Sequence, residues 1–173
     1  MSSVMIEEHR LKGLFRTPPH IVKALLKREQ FAGSVHDPAA GHMDLVRVLA
    51  ECGYPDVIAS DKHPWIGEGC RIEDFLTSTM QADNIVTNPP YHLPDCPNIK
   101  LKFLTQAKRL ARYKIAMLLP VTFEYTMGYI HHHEHDQDFS LKAVYAFPQT
   151  IPWINDPTPG NKMRFAWFVF ERG

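Results

Sequence analysis

At 173 residues and 19.9 kDa, the chain is long enough to bury one core and short for two. Hydrophobic residues make up 45% of it and charged residues 22%, which excludes the charge-rich, apolar-poor profile of a disordered protein. Lys and Arg number 19 and so do Asp and Glu, so bulk charge does not hold this chain to nucleic acid or to an anionic membrane, and any polyanion contact must be local.

The longest apolar stretches, 115–121 and 165–170, fall far short of the ~20 residues that cross a bilayer. The N-terminus MSSVMIEEHR lacks the basic start, apolar stretch and small-residue cleavage site of a secretory signal, so the expectation is an intracellular, cytoplasmic protein with no membrane contact. Cys52, Cys70 and Cys96 are odd in number, widely spaced and without a C-x-x-C pair. They are expected to be free thiols, buried or nearly so, and not disulfide partners or zinc ligands.

In chain order, 17–30 (TPPHIVKALLKREQ) predicts a helix, with Thr17 as its cap, Pro18 in the first turn and Ile21, Val22, Leu25 and Leu26 at helical spacing. Residues 34–36 predict a short strand that ends at Asp37 and a Gly-bearing turn; 43–54 predict a helix closed by Gly53. Two buried strands are predicted at 56–60, ending on Asp61, and at 84–88, running into Asn88-Pro89-Pro90-Tyr91. A helix over 101–112 and a strand over 114–121 follow, and two aromatic, β-branched strands at 141–147 and 163–171 suit an antiparallel pair. The alternation argues for one α/β domain spanning 1–173, a mainly parallel sheet with helices on both faces and a C-terminal antiparallel hairpin.

In such sheets, ligands bind beyond the carboxyl ends of the strands, where Asp37-Pro38-Ala39-Ala40-Gly41, Asp61 and Asn88-Pro89-Pro90-Tyr91 would converge. A Gly at a strand-to-helix turn lets backbone approach a ligand, and an acid at the next strand end can accept from ribose hydroxyls, which implies a nucleoside-bearing cofactor. In NPPY, the Asn88 amide oxygen and the Pro89 carbonyl can both accept from one amino group while Tyr91 offers a π-face, an arrangement that grips a planar amine.

On these motifs the chain resembles the class I S-adenosylmethionine-dependent methyltransferases, and among them the adenine-N6 DNA methyltransferases with an (N/D/S)-P-P-(Y/F/W) motif. The resemblance runs from about Phe15 to the final hairpin and implies a Rossmann-like methyltransferase fold. Phe15-Arg16-Thr17-Pro18 resembles the N-terminal motif of that family, HDPAAG its first cofactor motif, Asp61 its ribose-binding acid, and Ile72-Glu73-Asp74-Phe75 the segment near the cofactor adenine. The resemblance thus implies S-adenosyl-L-methionine as cofactor, held by Phe15, Thr17, Pro18, Asp37, Pro38, Ala39, Gly41, Asp61, Asp74 and Phe75. It implies Asn88, Pro89, Pro90 and Tyr91 as catalytic residues, with Tyr91 stacking on the acceptor base and Trp153 as a second stacking partner. The family shows a second Gly two residues after the first, where this chain has Met43. With no separate target-recognition domain expected, specificity falls to loops or a protein partner.

The implied reaction is methyl transfer to an exocyclic nitrogen, with adenine N6 in DNA ahead of RNA as acceptor. A protein glutamine amide is the second reading, and a catalytically silent binding module the third. Lys100, Lys102, Lys108, Arg109, Arg112 and Lys114 lie in an acid-free stretch that reads first as a solvated helix face and second as a phosphate contact. His131-His132-His133-Glu134-His135-Asp136 reads as a solvated loop with incidental metal affinity and not as a metal site.

Overall fold

The computed structural model describes residues 12–66, 68–125, 138–156 and 163–173. Its frame is a seven-stranded sheet of order β3-β2-β1-β4-β5-β7-β6, made of β1 (Val35–Asp37), β2 (Val57–Asp61), β3 (Arg71–Ile72), β4 (Ala82–Thr87), β5 (Ala111–Pro120), β6 (Phe139–Ala146) and β7 (Phe165–Arg172). The strands from β3 to β5 pair in parallel, while β7 runs antiparallel between β5 and β6. The strand order reverses at β1 and β4, which opens a crevice beyond their carboxyl ends.

Alternation along the central strands builds two cores. From β5, Ala116 and Leu118 point to one face and Ile115, Met117 and Leu119 to the other; β7 divides its Phe165, Trp167 and Val169 from Ala166, Phe168 and Phe170 in the same way. The first face is covered by α1 (Pro19–Leu26) and α2 (Asp44–Glu51), through Ile21, Val22, Leu25, Leu45, Val48 and Leu49. The second is covered by α3 (Ile99–Leu110), through Ile99, Phe103, Leu104, Ala107 and Leu110. Helices therefore sit on both faces and the hairpin closes the sheet, as the alternating pattern implies. Among the described residues, no helix is long and apolar enough to cross a membrane.

Several expectations need correcting. Helix α1 is shorter than 17–30, and Thr17 does not cap it: Pro18 holds the cap position with no side-chain bond, and the Thr17 hydroxyl is engaged elsewhere. Beyond Lys27 the chain turns so that buried Glu29 can accept from Tyr145 at 2.7 Å and pair with Lys114 at 3.0 Å. The edge strand β3 was not legible, because it pairs through backbone and both its residues are exposed. The thiols are free, yet Cys52 is exposed and Cys70 and Cys96 are only half-buried. Most of the basic stretch serves the protein itself. Lys108 is buried over the Phe170 ring, Lys114 pairs with Glu29, Arg112 with Asp83, and Lys100 donates to the Tyr91 carbonyl. The stretch is therefore neither a plain solvated face nor a free phosphate rail. The 131–136 cluster lies outside the described residues.

Candidate active site

The crevice beyond β1, β2 and β4 is a cleft enclosing about 830 Å³ of space, the open solvent at its mouth included. Strand β1 delivers Asp37 to its floor, where the carboxylate is buried and accepts the Ala39 N–H at 3.2 Å. Burial pushes its pKa up to about 7; the Thr87 hydroxyl and the Ala39 N–H oppose that shift, and the nearby Asp61 and Asp44 charges add to it.

The turn that follows needs Gly41. Its φ is +51°, and a Cβ there would meet Leu14 Cδ1 at 2.7 Å. Its N–H donates to Asp61 Oδ2 at 2.9 Å, and the His63 N–H donates to Asp61 Oδ1 at 2.8 Å. Asp61 thereby ties the β1 and β2 loops together, and the Trp65 side chain donates to it as well. Burial raises its pKa, against the pull of those N–H groups.

Farther along the wall, Asp74 caps the 3-10 turn Phe75–Thr77 through the Leu76 N–H and pairs with Lys62 at 3.0 Å. Phe75 is buried beside Phe103, with ring centroids 5.0 Å apart.

Opposite stands the end of β4. Asn88 Nδ2 donates to the Phe15 carbonyl at 2.8 Å and to Thr17 Oγ1 at 2.9 Å, and its Oδ1 accepts from the Tyr91 hydroxyl. The 13–17 strap lies directly on the motif, since a Cβ on Gly13 would meet Pro90 Cβ at 2.5 Å.

The cleft thus brings together Phe15, Thr17, Asp37, Pro38, Ala39, Gly41, Asp61, Asp74, Phe75, Asn88 and Pro90. Pro18, Pro89, Tyr91 and Trp153 do not line it. Trp153 is 2% exposed and Tyr91 9%, and both rings pack with Phe15 and Phe165. This corrects the expectation that both rings stand open to an incoming base, because apolar rings contributed by distant segments bury each other.

No protein-family model matches the sequence, and no curated protein matches it. Solved structures do. A candidate class I S-adenosylmethionine-dependent methyltransferase from Listeria monocytogenes superposes with a TM-score of 0.69 at 18% identity, covering 91% of this chain and 61% of that one. A candidate RNA methyltransferase from Pyrococcus horikoshii gives 0.66 at 15% identity over 94% of this chain and 88% of its own. The modification subunit of a candidate type I restriction enzyme from Vibrio vulnificus gives 0.65 at 17% identity over 98% of this chain and 47% of its own. The chain has the class I methyltransferase fold.

Within that fold the chain places residues at the cleft that its sequence did not single out. Arg16 grips Asp44 with two bonds of 2.8 Å, joining the strap to the start of α2, and both residues line the cleft. Asn155 holds the strap from the other side, accepting from the Arg16 N–H at 2.8 Å and donating to the Leu14 carbonyl at 2.9 Å. Trp65 also lines the cleft, its ring stacked near His42 and covered by Lys12, whose ammonium is 5.3 Å from the ring centroid. Only Arg16 carried a signal, as the charged residue within the FRTP segment.

Met43, where the resemblance leads one to expect a second Gly, has φ +66° and ψ 20°. The backbone keeps the left-handed turn and the side chain bears the strain. Met43→Gly and Met43→Ala delete the same packing, so the difference between them reads the backbone alone. The Gly variant is expected to be more stable by about 1 kcal/mol, or about 2–4 °C in Tm by thermal melting. Equal melting temperatures would contradict it.

Proposed function

We propose that the protein is an S-adenosylmethionine-dependent N-methyltransferase acting on an exocyclic amino nitrogen, with adenine N6 of DNA as acceptor. The observation that carries this reading is that Asn88 opens on the same cleft as Asp37, Gly41 and Asp61, so an amine-gripping amide faces a nucleoside-type cradle across one cavity. The residues present fit the cofactor. Gly41 lines the cleft in a turn where a Cβ would crowd Leu14, Asp61 presents a buried acid at the β2 end for ribose hydroxyls, and Phe75 offers an apolar wall beside the Asp74 cap. When bound, the cofactor supplies an electrophilic methyl on a sulfonium, which leaves as a neutral thioether.

An exocyclic amine on an aromatic ring is a poor nucleophile because its lone pair is delocalised. Asn88 Oδ1 accepts an N–H bond of the amine, favours the pyramidal nitrogen and stabilises the positive charge that grows there as the N–C bond forms. The proton then leaves the nitrogen for solvent water. Because the Asn88 Nδ2 protons are held by Phe15 and Thr17, the carboxamide is oriented with its oxygen as the acceptor. The likeness to a restriction-type modification subunit supports DNA as acceptor, and the likeness to a candidate RNA methyltransferase makes RNA the rival to test.

The test is transfer of labelled methyl from S-adenosylmethionine to adenine-bearing DNA, the same sequence as RNA, and a glutamine peptide. Incorporation into DNA ahead of RNA is expected; incorporation into peptide alone overturns the nucleic-acid reading. Calorimetric titration tests the cofactor half separately. A micromolar Kd, about −8 kcal/mol, is expected for the wild type. Asp61→Ala removes the ribose acceptor and unpins both loops, so at least a tenfold weaker Kd is expected, and an unchanged one would remove Asp61 from the cradle.

A further inference from the structure

We propose that the Tyr91 hydroxyl is an internal stand-in for the acceptor amine: it latches Asn88 Oδ1, and an acceptor binds only by displacing it. This rests on the amine-gripping role of Asn88 proposed above.

The Asn88 carboxamide is fixed at one end. With Nδ2 donating to the Phe15 carbonyl at 2.8 Å and to Thr17 Oγ1 at 2.9 Å, both amide protons are consumed, and Oδ1 is left as the side chain's acceptor. That oxygen receives the Tyr91 O–H. A phenol and an arylamine present the same thing to a carbonyl, a polar hydrogen at the rim of a flat ring, so the two compete for one atom.

Tyr91 is not a surface side chain resting there. Its ring lies 4.9 Å from Phe165, 5.4 Å from Phe15 and 6.1 Å from Trp153, centroid to centroid. Its backbone is tethered too, because Lys100 Nζ donates to the Tyr91 carbonyl at 2.8 Å, so release falls to rotation of the side chain. Burial holds the phenol well above its usual pKa, so at working pH it remains a donor. The strap that covers Pro90 also supplies Phe15 and Thr17, which makes one segment both the lid on the motif and the clamp on Asn88.

Tyr91→Phe separates this role from others. A ring that only stacks on the acceptor is indifferent to losing its hydroxyl, and a hydroxyl needed in the reaction costs turnover when lost. A latch does the opposite, because its removal frees Oδ1 for the acceptor. With one hydrogen bond at stake, the acceptor KM and the Kd for an adenine-bearing single-stranded oligonucleotide are expected to fall about fivefold in Tyr91→Phe.

A readout independent of activity is the Asn88 side-chain amide resonance in the 15N-labelled full chain, assigned by its loss in Asn88→Ala. Tyr91→Phe is expected to shift it, and so is Thr17→Val, which frees one Nδ2 proton at the clamped end. No shift in Tyr91→Phe overturns the latch, as does a shift with unchanged or weaker acceptor binding. A shift with tighter adenine binding, but no methyl transfer by wild type or variant, upholds the latch and defeats the methyltransferase reading.

Discussion

Asn88→Ala is expected to lower methyl transfer by about 10²–10³-fold at saturating cofactor, the range seen when one preorganised polar group at the reacting centre is removed. The same substitution leaves cofactor binding within about tenfold, because the contacts of Asp61 and Gly41 do not pass through Asn88 while Phe15 and Thr17 on the strap each lose one polar partner. The contrast between the two numbers is the content of the prediction. Asn88 accepts from Tyr91 and donates to Phe15 and Thr17, so truncation leaves buried groups unpaired, and a stability loss of about 1–3 kcal/mol accompanies it. Single-turnover rates per folded molecule, with the folded fraction fixed by thermal melting, separate the two effects. A rate within fivefold of wild type would remove Asn88 from the reaction and leave the motif as a rigid turn.

That the motif could be read at all follows from its local chemistry: NPPY carries its acceptors and its backbone restriction in adjacent residues. The same holds for β5 and β7, where period-two alternation is written into KIAMLLP and FAWFVF. What escaped reading is non-local. Arg16 and Asp44 form their pair across 28 positions, and neither residue's neighbours announce the other. Tyr91 at a strand end is compatible with an exposed π-face or a packed ring. The choice is made by Phe15, Trp153 and Phe165, which arrive from separate parts of the chain. Thr17 looked like a helix cap for a similar reason: its true partner, Asn88, is 71 positions away. Strand β3 escaped because Arg71 and Ile72 join the sheet through backbone alone, beside Ser60 and Asp61.

Asp37 sets the second large effect, on stability rather than rate. Its carboxyl has a pKa of about 7 in the folded protein against an ordinary 3.8, mainly because burial penalises the charged form. Between those values the folded state binds the proton that the unfolded chain has released, so the Asp37 contribution to stability falls as pH rises from about 4 to about 7 and is flat above, while buried His36, lowered from 6.5 to about 4, contributes in the opposite direction over the lower part of that window. The shift corresponds to about 4 kcal/mol at pH 8. Asp37→Asn keeps a polar group of the same shape without the charge. It is expected to remove that contribution and so to raise stability over wild type at pH 8 by several kcal/mol, while at pH 4 the two differ little. Urea melts of both proteins at pH 4, 6 and 8 read this as a difference, and a stability gap between Asp37→Asn and wild type that does not widen with pH would contradict it.

The buried charge also has a functional consequence under the proposed reaction. A cationic ligand in this cleft favours the ionised carboxylate, so it binds best above pH 7 and releases a proton on binding at pH 6. Affinity for S-adenosylmethionine is then expected to weaken toward a limiting slope of about tenfold per pH unit below 7, and Asp37→Asn to bind more weakly at pH 8 with no such slope. The neutral thioether product, lacking the sulfonium charge, should depend on pH less steeply than the substrate. The energy stored in this buried carboxylate is thus recovered when a positive ligand enters, which is how a destabilising residue can be kept at the floor of a binding site.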